Sequence, residues 1–222
     1  MLRLALSLLC MIVPLAHAQV APTPAEMTAF TGLFAAAARG DAPEIAKLAA
    51  AGADVKARDA YGRTPLHVAA YARRHDAMRA LAKAGADPNA LERDRYDIVT
   101  IAAVADDVGT LDVALAIGCK ATNVTSRYDG TALIAAAHLG HDEVVQRLIK
   151  AGAPLDHVNN LGWTALLETV ILGDGSARYQ QIVQILITAG ADPAIADKQG
   201  VTALKHARNR SQPEVARLLE RR

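Results

Sequence analysis

Apolar residues recur along this chain in short blocks that end at glycine. In one block the apolar positions are spaced by one, three and four residues, which places them on one face of a helix. These positions are Val144, Val145, Leu148 and Ile149. Gly152 follows the block, and glycine commonly ends a helix. The pattern predicts short helices that each bury one face.

The same block returns at a nearly constant distance. The glycines of Ala-Gly-Ala type segments are Gly52, Gly85, Gly118, Gly152 and Gly190, and only the last interval is clearly longer than the others. A second marker, threonine followed by Pro or Ala and then Leu, occurs at Thr64, Thr131, Thr164 and Thr202. Because the intervals between two unrelated markers lengthen at the same place in the chain, the chain contains true structural repeats.

The polar residues at the block boundaries fit the ends of helices. Thr64 is a good N-cap, and Pro65 suits the first helical position. Gly140 can end a first helix in the left-handed conformation. Asp142 and Glu143 then favour the positive start of a second helix. Each repeat is therefore predicted to hold two helices.

These residues carry a family resemblance. Residues 62–70 (Gly-Arg-Thr-Pro-Leu-His-Val-Ala-Ala) and 84–90 (Ala-Gly-Ala-Asp-Pro-Asn-Ala) resemble the ankyrin repeat almost position for position. Residues 128–133 and 140–145 match it again. The resemblance runs from about residue 33 to the C-terminus. It implies an all-α ankyrin-repeat solenoid of about six helix-turn-helix units with short hairpin-like fingers.

The repeat markers divide the array into six units, and we expect the terminal ones to be caps with a more polar outer face. The units are about 33–57, 58–90, 91–123, 124–157, 158–196 and 197–222. Before them, residues 19–32 are predicted to be an N-terminal linker and cap. Residues 19–25 contain two prolines and are expected to be loose.

Two units depart from the pattern. In the third, residues 97–100 (Asp-Ile-Val-Thr) replace the usual helix start. Because β-branched residues weaken a helix start, we expect this unit to be the least regular. In the fifth, the interval from Gly152 to Gly190 is longer than the other glycine intervals. We expect an inserted loop around residues 173–179, which either belongs to a binding face or is a tolerated, functionless loop.

The start of the chain, residues 1–18, predicts a secretory signal peptide. Arg3 gives the positive start, residues 4–15 form an apolar run, and residues 16–18 (Ala-His-Ala) fit the small-x-small cleavage rule. We therefore expect cleavage after Ala18 and export across a bacterial inner membrane to the periplasm. An uncleaved anchor is the alternative, but the run is shorter than the roughly 20 residues that span a bilayer.

Composition narrows the function classes. The net charge of +1 and the pI near 7.9 do not indicate a nucleic-acid partner. Aromatic residues make up 4% of the chain, so small aliphatic side chains carry the apolar content. Cleavage would remove Cys10 and leave Cys119, which excludes an internal disulfide. Cys119 is then either a small buried residue or a free thiol for another chain.

No residue pattern indicates an enzyme. The sequence lacks a nucleophile elbow, a phosphate-binding loop and zinc-ligand spacing. His138 and His141 are three residues apart, which is a weak signal for a metal site. His67 and His141 occupy positions where the ankyrin pattern itself carries His, so backbone hydrogen bonding is the favoured interpretation. We predict no catalytic residue, no metal ligand and no cofactor.

The resemblance implies that a partner would bind the finger tips and the concave surface of the first helices. In this chain those positions hold most of the large rings, and aromatic residues and Arg are enriched in binding hot spots. Alternatively, each ring covers the stem of its own finger. The candidate positions are Arg58, Tyr61, Arg63, Tyr71, Tyr96, Arg127, Tyr128, His138, Asn160, Trp163, Ile171 and Tyr179, with Ala72, Asp94, Leu161, Lys198 and Gln199 beside them.

The sequence thus predicts a monomeric, exported protein-protein interaction module, an adaptor or scaffold for a partner of unknown identity, with no nucleic acid and no membrane contact after signal cleavage. Two alternatives stay open. One is an accessory or protective factor for a periplasmic redox enzyme, suggested by the compartment and Cys119. The other is a secreted, host-directed effector.

Overall fold

The computed structural model describes residues 20–220, so the predicted signal peptide at residues 1–18 lies outside the described residues. Within this range the chain forms helices and one short two-stranded sheet. The helices are α1 (Pro24–Ala29), α2 (Gly32–Arg39), α3 (Ala42–Ala50), α4 (Pro65–Tyr71), α5 (His75–Lys83), α6 (Ile98–Val104), α7 (Val108–Ala116), α8 (Ala132–Leu139), α9 (Asp142–Lys150), α10 (Ala165–Leu172), α11 (Ala177–Ala189), α12 (Ala203–Asn209) and α13 (Pro213–Glu220), and the strands are β1 (Val124–Thr125) and β2 (Gly130–Thr131).

Helices α2 to α13 form six consecutive pairs. The first helices α2, α4, α6, α8, α10 and α12 pack against one another in chain order, and the second helices form another row of neighbours. This arrangement confirms the predicted all-α solenoid of about six units. None of the helices between residues 20 and 220 combines the length and hydropathy needed for a bilayer crossing.

Small residues set the spacing of the first row. Each of four successive first helices carries an alanine pair that is at most 3% exposed, and an alanine lets the neighbouring backbone approach closely. The pairs are Ala36 with Ala37, Ala69 with Ala70, Ala102 with Ala103, and Ala136 with Ala137. Larger side chains such as Leu81 and Leu148, both 0% exposed, fill the core from the second helices.

Threonine caps begin the first helices, as predicted. The Thr64 hydroxyl accepts from His67 N–H, and Thr131 and Thr164 cap α8 and α10 in the same way. In the third unit the Asp97 carboxylate accepts from Thr100 N–H at 2.8 Å. Helix α6 has seven residues, the same as α4. The expectation that this unit is the least regular is wrong, because Asp97 supplies the cap.

Each of four fingers is shaped by one polar side chain at its base. Asp59 Oδ1 accepts from the backbone N–H of Tyr61 at 2.8 Å and of Arg63 at 2.9 Å. The same pair of bonds is made by Glu92, Asn159 and Asp197 in the second, fourth and fifth fingers. A local side-chain acceptor thus fixes the turn before each of these helices.

Backbone hydrogen bonds join the first four fingers into one edge. Arg93 N–H donates to Tyr61 O at 3.0 Å, and Ser126 N–H donates to Arg95 O at 3.0 Å. Asn160 N–H then donates to Tyr128 O at 2.9 Å. Because these bonds tie each finger to the next, the tip side chains project from a continuous and pre-organised edge.

The fifth unit carries most of its insertion as helix. Helix α11 has 13 residues, whereas α3, α5, α7 and α9 each have 9. The loop predicted around residues 173–179 therefore ends at Ser176, and Tyr179 lies in the first turn of α11. Ala and Gln in this stretch favour helix over loop, which the sequence interpretation had overlooked.

The N-terminal segment is also more ordered than predicted. Residues 24 and 25, expected to be loose, begin α1. Thr23 and Glu26 form a reciprocal capping box, in which each side chain accepts from the other residue's backbone N–H. Pro24 occupies the helix start, where its missing N–H costs no hydrogen bond.

His67 links the cap of α4 to the second finger. The side chain is 1% exposed, its Nδ1 accepts from Thr64 N–H at 3.1 Å, and its Nε2 lies 3.3 Å from Tyr96 O. Because a carbonyl can only accept, the neutral ring carries its proton on Nε2. Burial is the main cause that lowers the pKa of His67 from its usual 6.5 to about 4.

We predict a loss of stability in weak acid that originates at His67. Below about pH 6.5 the unfolded chain binds a proton here that the folded chain refuses until about pH 4, so the free energy of unfolding falls across this window. Imidazole ¹⁵N shifts followed from pH 7 to pH 4 measure it directly. Retention of the Nε2–H tautomer down to pH 5 is expected, and a titration midpoint near 6.5 would contradict the account.

Candidate protein-binding surface

Equivalent positions of successive fingers form a row that we call the finger-tip row. The row comprises Tyr61, Asp94, Tyr128, Leu161 and Gln199. Tyr128 and Leu161 are 42% and 40% exposed and belong to neighbouring fingers joined by the Asn160 N–H to Tyr128 O bond. These two residues, named here the apolar tip pair, are the exposed large hydrophobic side chains of this row.

Basic residues border the finger-tip row and brace it. Arg127 donates to Asp94 of the preceding finger at 2.5 Å, and Arg58 donates to Leu91 O of the following one at 2.7 Å. Arg93 and Lys198 each donate to a backbone carbonyl of the preceding finger. Because a neutral carbonyl does not cancel a charge, the three side chains bound to carbonyls keep their positive charge beside the row.

The last turns of the first helices form a second row, which we call the concave row. It comprises Tyr71, Val104, His138 and Ile171, all of them half-buried. Their neighbour Leu172 is 36% exposed. The predicted residues Tyr71, His138 and Ile171 therefore share one helical position in three of the units, as the sequence interpretation requires.

A buried carboxylate supports the centre of the concave row. Glu168 is 5% exposed, and its Oε1 accepts from Asn159 Nδ2 at 2.8 Å. Its Oε2 lies 3.1 Å from His138 Nδ1. Tyr179 OH donates to His138 O at 3.1 Å. The His138 ring is thus oriented by a buried carboxylate. The Tyr179 hydroxyl joins α11 to the backbone of α8.

Two predicted contact residues are buried. Arg63 is 1% exposed and Tyr96 is 6% exposed, so their assignment to a partner-facing surface is wrong. Both stand directly before a helix cap, at a position where the side chain packs between finger and first helix. Trp163 shares this position and packs half-buried against the core. The alternative that rings cover their own finger stems holds for Tyr96.

For the remaining candidates partner contact stays a prediction, and the structure gives the solvent exposure of each. Arg58, Arg127, Tyr128 and Asn160 are exposed. Tyr61 is half-buried, and the guanidinium groups of Arg63 and Arg93 lie over its ring, at 4.6 and 5.2 Å from the ring centroid. Three of the four exposed candidates belong to the third and fourth fingers, which are therefore the most accessible part of the edge.

The side chains of His138, His141 and Cys119 each contact a polar group within the fold. His141 Nδ1 lies 2.8 Å from Ala103 O in α6, whereas His138 Nδ1 lies 3.1 Å from Glu168 in α10. The two rings therefore contact different helices. Among residues 20–220 no group of three or more His, Cys, Asp or Glu side chains has the arrangement of a metal site. The Cys119 thiol donates to Pro88 O at 3.1 Å, and its burial raises the pKa.

Sequence reasoning missed parts of both rows. In the concave row the missed residue is Val104, whose place one repeat from Tyr71 could have revealed it; Leu172, beside this row, directly follows Ile171. In the finger-tip row it is Leu161, which the sequence predicts only beside the candidate contacts although its side chain is 40% exposed. The supporting role of Glu168 could not be predicted, because a single acidic residue in a helix does not reveal that its neighbours will bury it.

The buried hydroxyl of Tyr71 in the concave row gives a prediction about stability. Its hydroxyl is buried without a hydrogen-bond partner among the described residues, and burial raises its pKa. We expect Tyr71→Phe to raise the free energy of unfolding by about 1 kcal/mol, because it removes an unsatisfied polar group. Tyr128→Phe, at an exposed ring, should leave it unchanged. Urea unfolding measures both, and a destabilised Tyr71→Phe variant would show that the hydroxyl has a partner.

Comparison with known proteins agrees with this architecture. The family model for ankyrin repeats matches residues 8–92 and 99–194. The putative ankyrin repeat protein YahD of Escherichia coli K12 is 34% identical over 185 residues, which cover 83% of this chain and 92% of that protein. A solved ankyrin repeat domain from Acinetobacter baumannii is 45% identical, with a TM-score of 0.78, and the match covers 84% of this chain and 95% of that one.

A third likeness concerns the fold alone. A chain in the solved complex of the Bdellovibrio bacteriovorus endopeptidase Bd0816 with the immunity protein Bd3460 is 23% identical, with a TM-score of 0.71. The match covers 87% of this chain and 98% of that chain. Together with the stacked helix pairs, threonine caps and hydrogen-bonded fingers, the family match gives one conclusion. The chain belongs to the ankyrin-repeat family.

Proposed function

We propose that this chain is an exported adaptor that binds a partner protein through its finger tips and concave face. Ankyrin repeats are protein-protein interaction modules, and stacked repeats create extended surfaces for recognition. The observation that carries the proposal is the apolar tip pair, Tyr128 and Leu161, exposed on adjacent fingers. The periplasm is the proposed location.

The surroundings of the apolar tip pair fit a protein interface. Interfaces combine a central apolar contact with a polar rim, and Arg127 and Asn160 stand directly beside the pair. The fingers are already joined by backbone hydrogen bonds, so binding orders few additional groups. Pre-organisation of this kind lowers the entropic cost of association.

The polar groups of the concave face favour binding over catalysis. Glu168 is held by Asn159 and His138, and His67 is held by Thr64 and Tyr96 O. Each of these side chains orients a cap, a finger or a neighbouring ring. A catalytic acid or base would need a free atom directed at a substrate, so we propose that the protein is not an enzyme.

Replacement of the apolar tip pair tests the binding surface. We expect Tyr128→Ala with Leu161→Ala to weaken partner recovery from the periplasmic fraction at least about tenfold, because hot-spot side chains each contribute about 2 kcal/mol or more. Quantitative mass spectrometry of affinity-purified complexes is the measurement. The matched control is Gln146→Ala with Gln181→Ala, two exposed residues of the second-helix row. Equal recovery by both double variants would refute the surface assignment.

Export has a separate test. We expect the mature protein to begin at Gln19 and to fractionate with periplasmic markers, because residues 1–18 have the three parts of a signal peptide. Intact-mass measurement of the protein from fractionated cells determines the N-terminus. Replacing Ala16 and Ala18 with bulky residues should block processing. Recovery of the full-length chain from the cytoplasm would contradict export and leave the binding surface unaffected.

A further inference from the structure

The chain's own N-terminal segment occupies the start of the proposed binding face. The Arg63 guanidinium donates through Nη1 to Val20 O at 3.0 Å and through Nη2 to Glu26 Oε1 at 2.7 Å. Its Nε donates to Asp59 Oδ2 at 2.6 Å. The residue is 1% exposed. Arg63 was predicted to meet a partner, and residues 20–26 take that place.

The site under the segment has a defined chemistry. Arg63 lies 4.6 Å from the centroid of the Tyr61 ring, and Arg93 approaches the same ring at 5.2 Å. Two guanidinium groups therefore lie on one aromatic ring within the first two fingers, and Asp59 pairs with one of them. The N-terminal segment meets Arg63 with a carboxylate and a backbone carbonyl, oxygen acceptors that suit the fixed donor fork of a guanidinium.

One side chain makes the hydrogen bonds between the segment and the array. Within residues 20–220, the hydrogen bonds that join residues 20–30 to the rest of the chain all come from Arg63. Helix α1 has no fully buried residue, and Met27 and Phe30 are only half-buried against the core. Segments with few buried apolar contacts open at low free-energy cost, so this one is poised to detach without unfolding the array.

We call residues 20–30, when they contact Arg63, the latch. A cavity beside the latch is accessible from solvent. This cavity is an open surface groove of about 390 Å³ between residues 20–26 and the first two fingers, where Tyr61, Arg93 and Asp94 line it. An incoming segment can therefore reach the edge of the Arg63 site while the latch is closed. Asp59 pairs with Arg63 at 2.6 Å through a different guanidinium nitrogen from Glu26, so departure of Glu26 would leave Arg63 with a carboxylate partner.

We propose that residues 20–30 act as a displaceable intramolecular ligand, and that the partner protein replaces them by presenting a carboxylate of its own to Arg63. This inference rests on the proposed protein-binding function and adds the chemistry of the partner. The occupant is a protein segment with Asp or Glu next to small or apolar residues, as in residues 20–26 (Val-Ala-Pro-Thr-Pro-Ala-Glu).

The first arm of the test measures opening of the latch in the full mature chain. Glu26→Gln removes the charge opposite Arg63, and Gln still completes a capping box. The matched control is Glu44→Gln, which breaks the Lys47 pair at a side chain of similar exposure, 32% against 28% for Glu26. Millisecond amide hydrogen exchange of residues 25–30 should become about tenfold faster in Glu26→Gln and stay unchanged in the control.

The second arm tests the ligand chemistry. The probe is a fluorescent synthetic peptide of residues 20–31, added to each mature chain and followed by fluorescence anisotropy. We expect saturable binding to Glu26→Gln at least about tenfold tighter than to the unmodified chain, where the attached segment competes. The same peptide with Gln at its glutamate position should bind about tenfold more weakly, because it offers Arg63 no charge.

The outcomes are distinct. Faster exchange with charge-dependent peptide binding supports the proposal. Amide exchange of residues 25–30 that is no faster in Glu26→Gln than in the unmodified chain overturns it, as does peptide binding that is absent or independent of the glutamate. Both arms use only this chain and its own segment, so a negative result leaves the apolar tip pair and the proposed function standing. Circular dichroism melts of all variants verify that the array is folded.

Discussion

Close stacking of the first helices is the constraint on which the rest of this molecule depends. A single repeat cannot bury its own apolar face, so each unit is stable only against its neighbours. Alanine pairs such as Ala69 and Ala70 allow that approach, and the approach fixes the distance between consecutive fingers. The fingers then lie near enough for bonds such as Asn160 N–H to Tyr128 O, which make the tips one edge.

The fold was predictable because its causes are local and repeated. The threonine caps, the left-handed glycine at Gly140 and the helical apolar spacing each leave a mark in the sequence. The candidate surface was only partly predictable, because exposure depends on neighbours distant in the chain. Arg63 was predicted to be a contact residue, yet its position packs between finger and first helix, and its terminal nitrogens bond to Val20 and Glu26, which precede the repeat array.

The polar interior of the array supports its surfaces. Glu168 orients His138 in the concave row, Asp59 shapes the first finger and holds Arg63, and His67 ties a helix cap to the next finger. Each of these groups joins two elements, as expected when an unsatisfied group costs more than a hydrogen bond gains. The proposed binding edge therefore differs along its length: Tyr128 and Leu161 at the tips of the third and fourth fingers are exposed, whereas Arg63 of the first finger is bonded to the N-terminal segment.

The central claim is that the edge at the apolar tip pair contacts another protein in the periplasm. A photo-crosslinking amino acid placed at Leu161 in living cells tests it most directly, with the same group at Gln146 on the second-helix row as the reference. The account predicts a discrete protein adduct from position 161 and none from position 146. Adducts of equal yield from both positions, or none from position 161 with the protein present in the periplasm, would contradict it.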